Sequence, residues 1–378
     1  MKRIKTIVCI LLCTVLCIGI VACQRNHTVP ASPSATLSPT SDGSLSRLPE
    51  EVTTGKQSLY FDASGNFKVL ILSDLRVSKN VDRQVLAHIG DLLDREQPSL
   101  VLLGGDVHDG SISNEQELRG VLDQINAPME ARKIPWCHTF GVQTEGTKTV
   151  KNGYSREEQM KVYQSYPYCI SGADTAETYG VSNYVLPLLI PDGDTDSSND
   201  KIGFNVWCLD ANSYLNDYVE GFEDQVVLNR KLSGGSDLDC LHYSQLLWYW
   251  DTSVALENYN GKKVPGMMYF QVPIYQFQLI LRNQQQTGMQ GTLATQTKKV
   301  TASERESGIL WACYERGDVK HIFCGYNEKN DFSGKYLGIT MAFCSTVGTS
   351  AAKETIGARV VSISDNGKKV ETSMSYLK

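Results

Sequence analysis

Val319-Lys320-His321-Ile322-Phe323-Cys324-Gly325-Tyr326-Asn327-Glu328-Lys329-Asn330-Asp331 changes character abruptly at its middle. The first six residues are mostly apolar and suited to a pleated backbone, and they predict a buried strand. Gly325 ends the run, and the residues from Tyr326 to Asp331 are almost entirely polar or charged. A buried strand that stops at a glycine and hands polar side chains to a loop is how a rigid sheet presents functional groups. The same design recurs along the chain. Lys68–Leu72 runs into Ser73-Asp74-Leu75-Arg76, and Leu100–Leu103 closes at Gly104-Gly105-Asp106. Ile134–Phe140 closes at Gly141-Val142-Gln143, and Met267–Phe270 at Gln271-Val272-Pro273.

Phe204–Asp210, Leu337–Cys344 and Arg359–Ile363 read as further strands. Between them, Val81, Val85, Ile89, Leu92 and Leu93 recur at helical spacing and stop before Pro98. Leu118–Ile125 and Cys240–Leu256 predict two more helices, whereas Gln284–Ser303 is Gln- and Thr-rich and reads as a long loop. Strands without polar alternation are covered on both faces, and alternation with helices puts those helices outside a sheet. The later strands have fewer helices between them and predict a second sheet facing the first. The expected architecture is α/β, a four-layer α-β-β-α sandwich of two facing mixed sheets.

Taken in order, the strand-end motifs resemble those of the calcineurin-like metallophosphoesterases. Gly180-Val181-Ser182-Asn183-Tyr184-Val185-Leu186-Pro187, Trp248-Tyr249 and the Gly325…Asn330-Asp331 loop resemble the exported, purple-acid-phosphatase-like branch. The resemblance spans Phe67 to Ile363. It implies phosphoester hydrolysis by two divalent ions held ~3.5–4 Å apart by carboxylates and imidazoles. It assigns Asp74 as a ligand and Asp106 as the carboxylate bridging both ions.

The remaining family positions carry other chemistry. Arg76 stands where the family has the histidine of Asp-x-His, and Val142-Gln143 stand where it has Asn-His. Gln271 replaces a histidine, and Tyr326 and Glu328 replace the two histidines of Gly-His-Asp-His. Sorted by ion, one site would need Asp74, Arg76, Asp106 and Glu328; the other would need Asp106, Val142, Gln271 and Tyr326. The second keeps one good ligand. The first keeps three carboxylates, but arginine has no lone pair to give and stays charged. Two unit charges 4 Å apart interact by about 4 kcal/mol at an effective dielectric of ~20, and a dication beside Arg76 would meet about twice that repulsion. Arg76 is therefore expected to stand in for the metal. Gln143 cannot serve as the general acid that the family's histidine supplies. His108 and His138 are the nearest other imidazoles; their simpler reading is one loop and one core histidine. No nucleophile elbow or phosphate-binding glycine loop is present in the sequence.

The N-terminus reads as a targeting segment. Lys2, Arg3 and Lys5 precede the uncharged run Ile7–Ala22, the order expected of a signal peptide over residues 1–22. Ile20-Val21-Ala22-Cys23 resembles a bacterial lipobox, which implies lipid attachment at Cys23. Residues 23–54 are rich in Ser, Thr and Pro and read as a flexible tether before a domain over 55–378. Removing residues 1–22 takes away three positive charges, so the net charge moves from −6 to about −9. An acidic domain without basic clusters excludes nucleic acid as the expected partner. Of 11 cysteines, seven lie in the domain, an odd number without Cys-x-x-Cys spacing. They are expected to be mostly buried thiols, with at most one or two bridges.

Together the two resemblances imply an exported, outward-facing membrane lipoprotein whose phosphoesterase-like domain is expected to be a silent module for an extracellular ligand or protein. The alternative is an atypical phosphoesterase using a single divalent ion (Mn, Fe, Zn or Mg) at Asp74, Asp106 and Glu328; a purely structural envelope protein is the third reading.

Overall fold

The computed structural model describes residues 56–142, 154–172, 178–192, 200–214, 238–291, 299–349 and 356–377. Gln143 and Cys23 lie outside the described residues. In chain order, the elements begin with β1 (Leu59–Tyr60), β2 (Phe67–Leu72), α1 (Arg83–Glu96), β3 (Leu100–Gly104), α2 (Glu115–Arg132), β4 (Trp136–Thr139) and α3 (Arg156–Gln164). The middle of the chain forms β5 (Tyr184–Ile190), β6 (Lys201–Cys208), α4 (Tyr243–Asn260), β7 (Gly266–Tyr269), α5 (Gln276–Arg282), α6 (Ile309–Arg316) and β8 (Val319–Cys324). The chain continues through β9 (Ser333–Tyr336), β10 (Ile339–Phe343), β11 (Gly357–Ser364) and β12 (Lys369–Tyr376).

These strands form two mixed sheets. One has the order β1-β5-β6-β7-β8-β10-β9, the other β12-β11-β2-β3-β4. β2, β3 and β4 run parallel, as do β6, β7, β8 and β10. Their carboxyl ends are where the candidate loops begin.

Alternation along each strand explains the layering. Val69, Ile71, Leu100 and Leu102 share one core with Val206, Cys208, Met267 and Phe323, so these side chains fill the space between the sheets. Their neighbours Leu70, Leu72, Val101 and Leu103 point the other way, onto Val85, Ile89 and Leu92 of α1 and Val121 and Ile125 of α2. Trp207 and Met268 of the other sheet likewise turn outward, onto Tyr249 and Leu256 of α4, Phe277 of α5 and Leu310 of α6. Three cores make four layers, helix–sheet–sheet–helix, as the apolar strands predict.

Local signals account for the helix ends. Asp82 and Asn114 cap α1 and α2 through side-chain acceptors, and Ser155 and Glu158 form a reciprocal capping box on α3. α2 runs on through Pro128 to Arg132, well beyond the predicted Ile125. α4 starts at Tyr243 rather than Cys240 and ends at Asn260, where Gly261 takes the left-handed conformation. The predicted strand Leu337–Cys344 is β10, shortened at its start: Leu337 and Gly338 both adopt positive φ and turn the chain from β9 into β10. The described parts of the Gln284–Ser303 stretch hold no helix or strand, although Gln290 pairs with Ser333. The seven cysteines of the domain are free thiols, six of them buried.

Candidate functional site

Close backbone packing brings loops from both sheets together. Gly325, after β8, sits so near the β2 end that any Cβ there would collide with the Ser73 hydroxyl and the Asp74 carboxylate. Gly105 has φ +77°, and its missing Cβ leaves room for the Gln271 side chain and the Gly141 backbone. Asp74 N donates to Gly105 O at 3.1 Å, Arg76 N to Asp106 O at 2.8 Å, and Gly325 N to Gln271 O at 3.1 Å. The β2, β3, β4, β7 and β8 ends are thereby fastened into one floor.

Four non-glycine residues of this floor have positive φ: Asp74 (52°), Arg76 (46°), Asp106 (46°) and Tyr326 (65°). Left-handed backbone costs an ordinary residue roughly 1–2 kcal/mol, and such strain gathers where a function over-determines the chain. The loops therefore hold a costly geometry that sets out side chains in fixed directions.

The structure brings Asp74, Arg76, Asp106, Val142, Gln271, Tyr326 and Glu328 to these loops. Arg76 Nη2 donates to Asp106 Oδ2 at 3.1 Å, and its Nη1 pairs with Glu328 Oε1. The guanidinium thus bridges the two carboxylates. Burial works against its charge, but Asp106, Asp74 and Glu328 outweigh that penalty and hold Arg76 protonated.

Asp74 is satisfied differently. It is fully buried; its Oδ1 accepts from Gln271 Nε2 at 2.9 Å, and its Oδ2 from Ser73 Oγ at 2.6 Å and Tyr326 N at 3.1 Å. The expected ion pair between Asp74 and Arg76 is replaced by this set of neutral donors. Burial, then the nearby charge of Asp106, pushes the Asp74 carboxyl up to about 7, against the pull of Ser73 and Arg76. Gln271 Oε1 in turn accepts from Val142 N at 2.8 Å. Its amide is spent linking Asp74 to the β4 loop.

These side chains do not fit a pair of divalent ions. A guanidinium lies between Asp106 and Glu328, the Gln271 oxygen is aimed at a backbone N–H, and Val142 is a buried hydrocarbon. Tyr326 packs against the outer core of the seven-stranded sheet.

Neither extra histidine turns to the carboxylates. His108 Nδ1 accepts from Gly110 N at 3.2 Å, so its Nε2 carries the proton and donates to Gln159 Oε1 at 3.1 Å. His138 is buried, stacks on Tyr163 at 3.5 Å between centroids, and meets Ser171 Oγ at 2.9 Å through Nδ1. Burial pushes it down to about 3, so it stays neutral. It is a core histidine.

Sequence reasoning missed a second arginine. Arg156 Nη1 reaches both oxygens of Asp210 at 2.9 Å, and Nη2 donates to Gly141 O. Asp210 also accepts from Val181 N and Asn212 N, each at 2.9 Å. This buried pair holds the loop carrying Val142. The two residues lie 54 positions apart, and no local spacing connects them; only the Ser-x-x-Glu signature at Ser155–Glu158 marked the start of the helix bearing Arg156.

No family model matches the chain. Among known proteins, it is 26% identical over 360 residues to "Probable inactive purple acid phosphatase 29" of Arabidopsis thaliana, covering 86% of this chain and 83% of that protein. It is 24% identical over 322 residues to "Probable inactive purple acid phosphatase 14" of the same plant, covering 78% and 73%. Among solved structures, a dimetal phosphatase from Danio rerio superposes with a TM-score of 0.51 at 12% identity, covering 82% of this chain and 99% of that one. The chain has the calcineurin-like metallophosphoesterase fold. The two plant homologues are named as purple acid phosphatases, and the chain's degenerate motifs accord with the word inactive in those names.

Proposed function

We propose that the domain is a catalytically silent metallophosphoesterase kept as a binding or interaction module, held outside a membrane by lipid on Cys23. The Arg76 bridge between Asp106 and Glu328 carries the first part of this reading: it puts a fixed cation where an ion would need those carboxylates. The plant homologues named as inactive support it. The anchoring rests on the Ile20-Val21-Ala22-Cys23 motif and the basic segment before it; among the described residues no helix is long and apolar enough to cross a membrane.

Elemental analysis of the purified chain, together with hydrolysis of a generic phosphomonoester and phosphodiester, tests the silent reading. Well under one equivalent of transition metal and no hydrolysis are expected. Two ions per chain would overturn it. One tightly held ion with measurable turnover would favour the single-ion phosphoesterase at Asp74, Asp106 and Glu328. For the anchor, mass spectrometry of the N-terminal peptide should find an acylated Cys23; an intact Met1 would contradict it.

A further inference from the structure

The outer helices of the seven-stranded sheet carry a feature that the strand-end site does not use. Tyr243, Leu247, Trp250 and Val254 lie along α4 and are 77%, 43%, 37% and 37% exposed. Their spacing is four, three, four, the repeat that lines up one seam on a helix. α6 lies beside α4 and runs the same way: Gly308 at its start adjoins Leu246, and Arg316 at its end bonds Ser253 O at 3.1 Å and pairs with Glu257. α6 adds Trp311 and Tyr314, each 48% exposed and in edge-to-face contact.

A single exposed aromatic needs no explanation, but six large apolar side chains on two neighbouring helices do. We infer that this face is a homodimer interface in which α4 packs antiparallel against α4 of a second copy. This assignment is independent of the silent reading, since it concerns helices outside the sheet and not the strand ends.

Three observations favour a second copy as the occupant. The first is area. Aromatic side chains bury about 150–250 Å² each, so at these exposures the six offer roughly 500–600 Å² of apolar surface. A standard interface takes ~800 Å² per partner, about 65% of it apolar in homodimers, which is a close match. The second is self-complementarity. A two-fold axis between Leu247 and Trp250 sets Tyr243 against Val254 of the second copy and Trp250 against Leu247, so each bulky aromatic meets an aliphatic side chain. The third is charge. α4 contains two acidic residues, Asp251 and Glu257, and no basic one, and Arg316 of α6 is buried against Glu257. These helices therefore offer no free cation to an anionic lipid surface, whereas the uncharged seam of Tyr243, Leu247, Trp250 and Val254 suits a homodimer core.

Disulfide cross-linking in the full-length chain without detergent, with Cys9, Cys13, Cys17, Cys23 and Cys240 replaced by Ser, tests both the contact and its direction. In an antiparallel pair Leu247→Cys lies within ~5 Å of its own copy along the axis, whereas Val254→Cys lies ~16 Å from its copy. Leu247→Cys is expected to give a covalent dimer and Val254→Cys at least tenfold less. Adding Tyr243→Glu to Leu247→Cys should cut the yield at least tenfold; at 77% exposure the substitution spares the fold, which an unchanged far-ultraviolet circular dichroism spectrum would verify. No cross-link at 247, equal cross-linking at both positions, or indifference to Tyr243→Glu overturns the interface. Quenching of Trp250 and Trp311 by brominated lipids in a chain that stays monomeric would assign the face to a bilayer and also overturn it.

Discussion

The two halves of the strand-end site fill the same kind of space with opposite chemistry. Around Asp106 and Glu328 the carboxylates are kept and a protein cation, Arg76, is drawn in between them. Around Val142 and Gln271 charge is absent: a hydrocarbon and an amide occupy the positions, and the amide bonds Asp74 on one side and the Val142 N–H on the other. A site built for ions can thus be closed either by substituting the charge or by removing the need for it. The charge-substituted half depends on one side chain. The amide half is spread over several hydrogen bonds, each replaceable at smaller cost.

Arg76→Ala should therefore produce the largest effect. It leaves Asp106 and Glu328 facing each other without a counter-charge, and removing one partner of a buried pair costs roughly 3–5 kcal/mol. With the Arg76 side chain 23% exposed, the lower end, about 3 kcal/mol, is expected in denaturant unfolding at neutral pH. A loss under about 0.5 kcal/mol would mean that the guanidinium is merely solvated. Gln271→Ala should come next, since it strands the Val142 N–H and one oxygen of Asp74; about 1–3 kcal/mol is the usual penalty for a buried group left without a partner. If Gln271→Ala proved costlier than Arg76→Ala, the contrast between the halves would be reversed.

A smaller effect probes the same contrast through pH. The Asp74 carboxyl, pushed up to about 7 from an ordinary value near 3.8, holds its proton more tightly in the folded chain. Its contribution to stability is therefore greatest in acid and declines as pH rises from about 4 through about 7, the reverse of a salt-bridged carboxylate. His138, pushed down to about 3 from 6.5, acts the other way, removing stability as pH falls below about 6.5. Subtracting the profile of Asp74→Asn from that of the parent isolates the first effect. The parent should lose stability relative to the variant between about pH 4 and about pH 7, and parallel profiles would show that Asp74 is ionised throughout.

The smallest expected effect is on catalysis. Arg76→His restores one imidazole but leaves Val142, Gln271 and Tyr326 in place, so phosphoester hydrolysis should remain at background. Turnover in that variant would show that one half of the site suffices.

Much of the architecture was legible because the signals were local and redundant. Val69–Leu72 and Leu100–Leu103 are apolar without a break, and burial on both faces leaves few other readings. The Leu337–Gly338 turn was not legible, because a two-residue reversal at the edge of an apolar stretch changes its pattern very little. α3 was missed although Ser155 and Glu158 mark its start, since its polar residues hide the buried face formed by Met160, Val162 and Tyr163. At the site, the residue types at Asp74, Arg76, Asp106, Gln271 and Glu328 showed which positions had changed. Their partners did not emerge from the sequence: that Arg76 turns to Asp106 and Glu328 while Asp74 takes Ser73, Gln271 and Tyr326 N depends on loop geometry. The Arg156–Asp210 pair depends wholly on tertiary packing.

If Arg76 occupies the place of a cation, metal should act on the parent and on Arg76→Ala in different ways, and thermal melting of the two side by side reads this out. Millimolar Mn²⁺ or Zn²⁺ should leave the parent's melting temperature unchanged and raise that of Arg76→Ala, recovering part of the lost stability as an ion enters between Asp106 and Glu328. A parent stabilised by metal as strongly as the variant, or a variant indifferent to it, would contradict that role for Arg76.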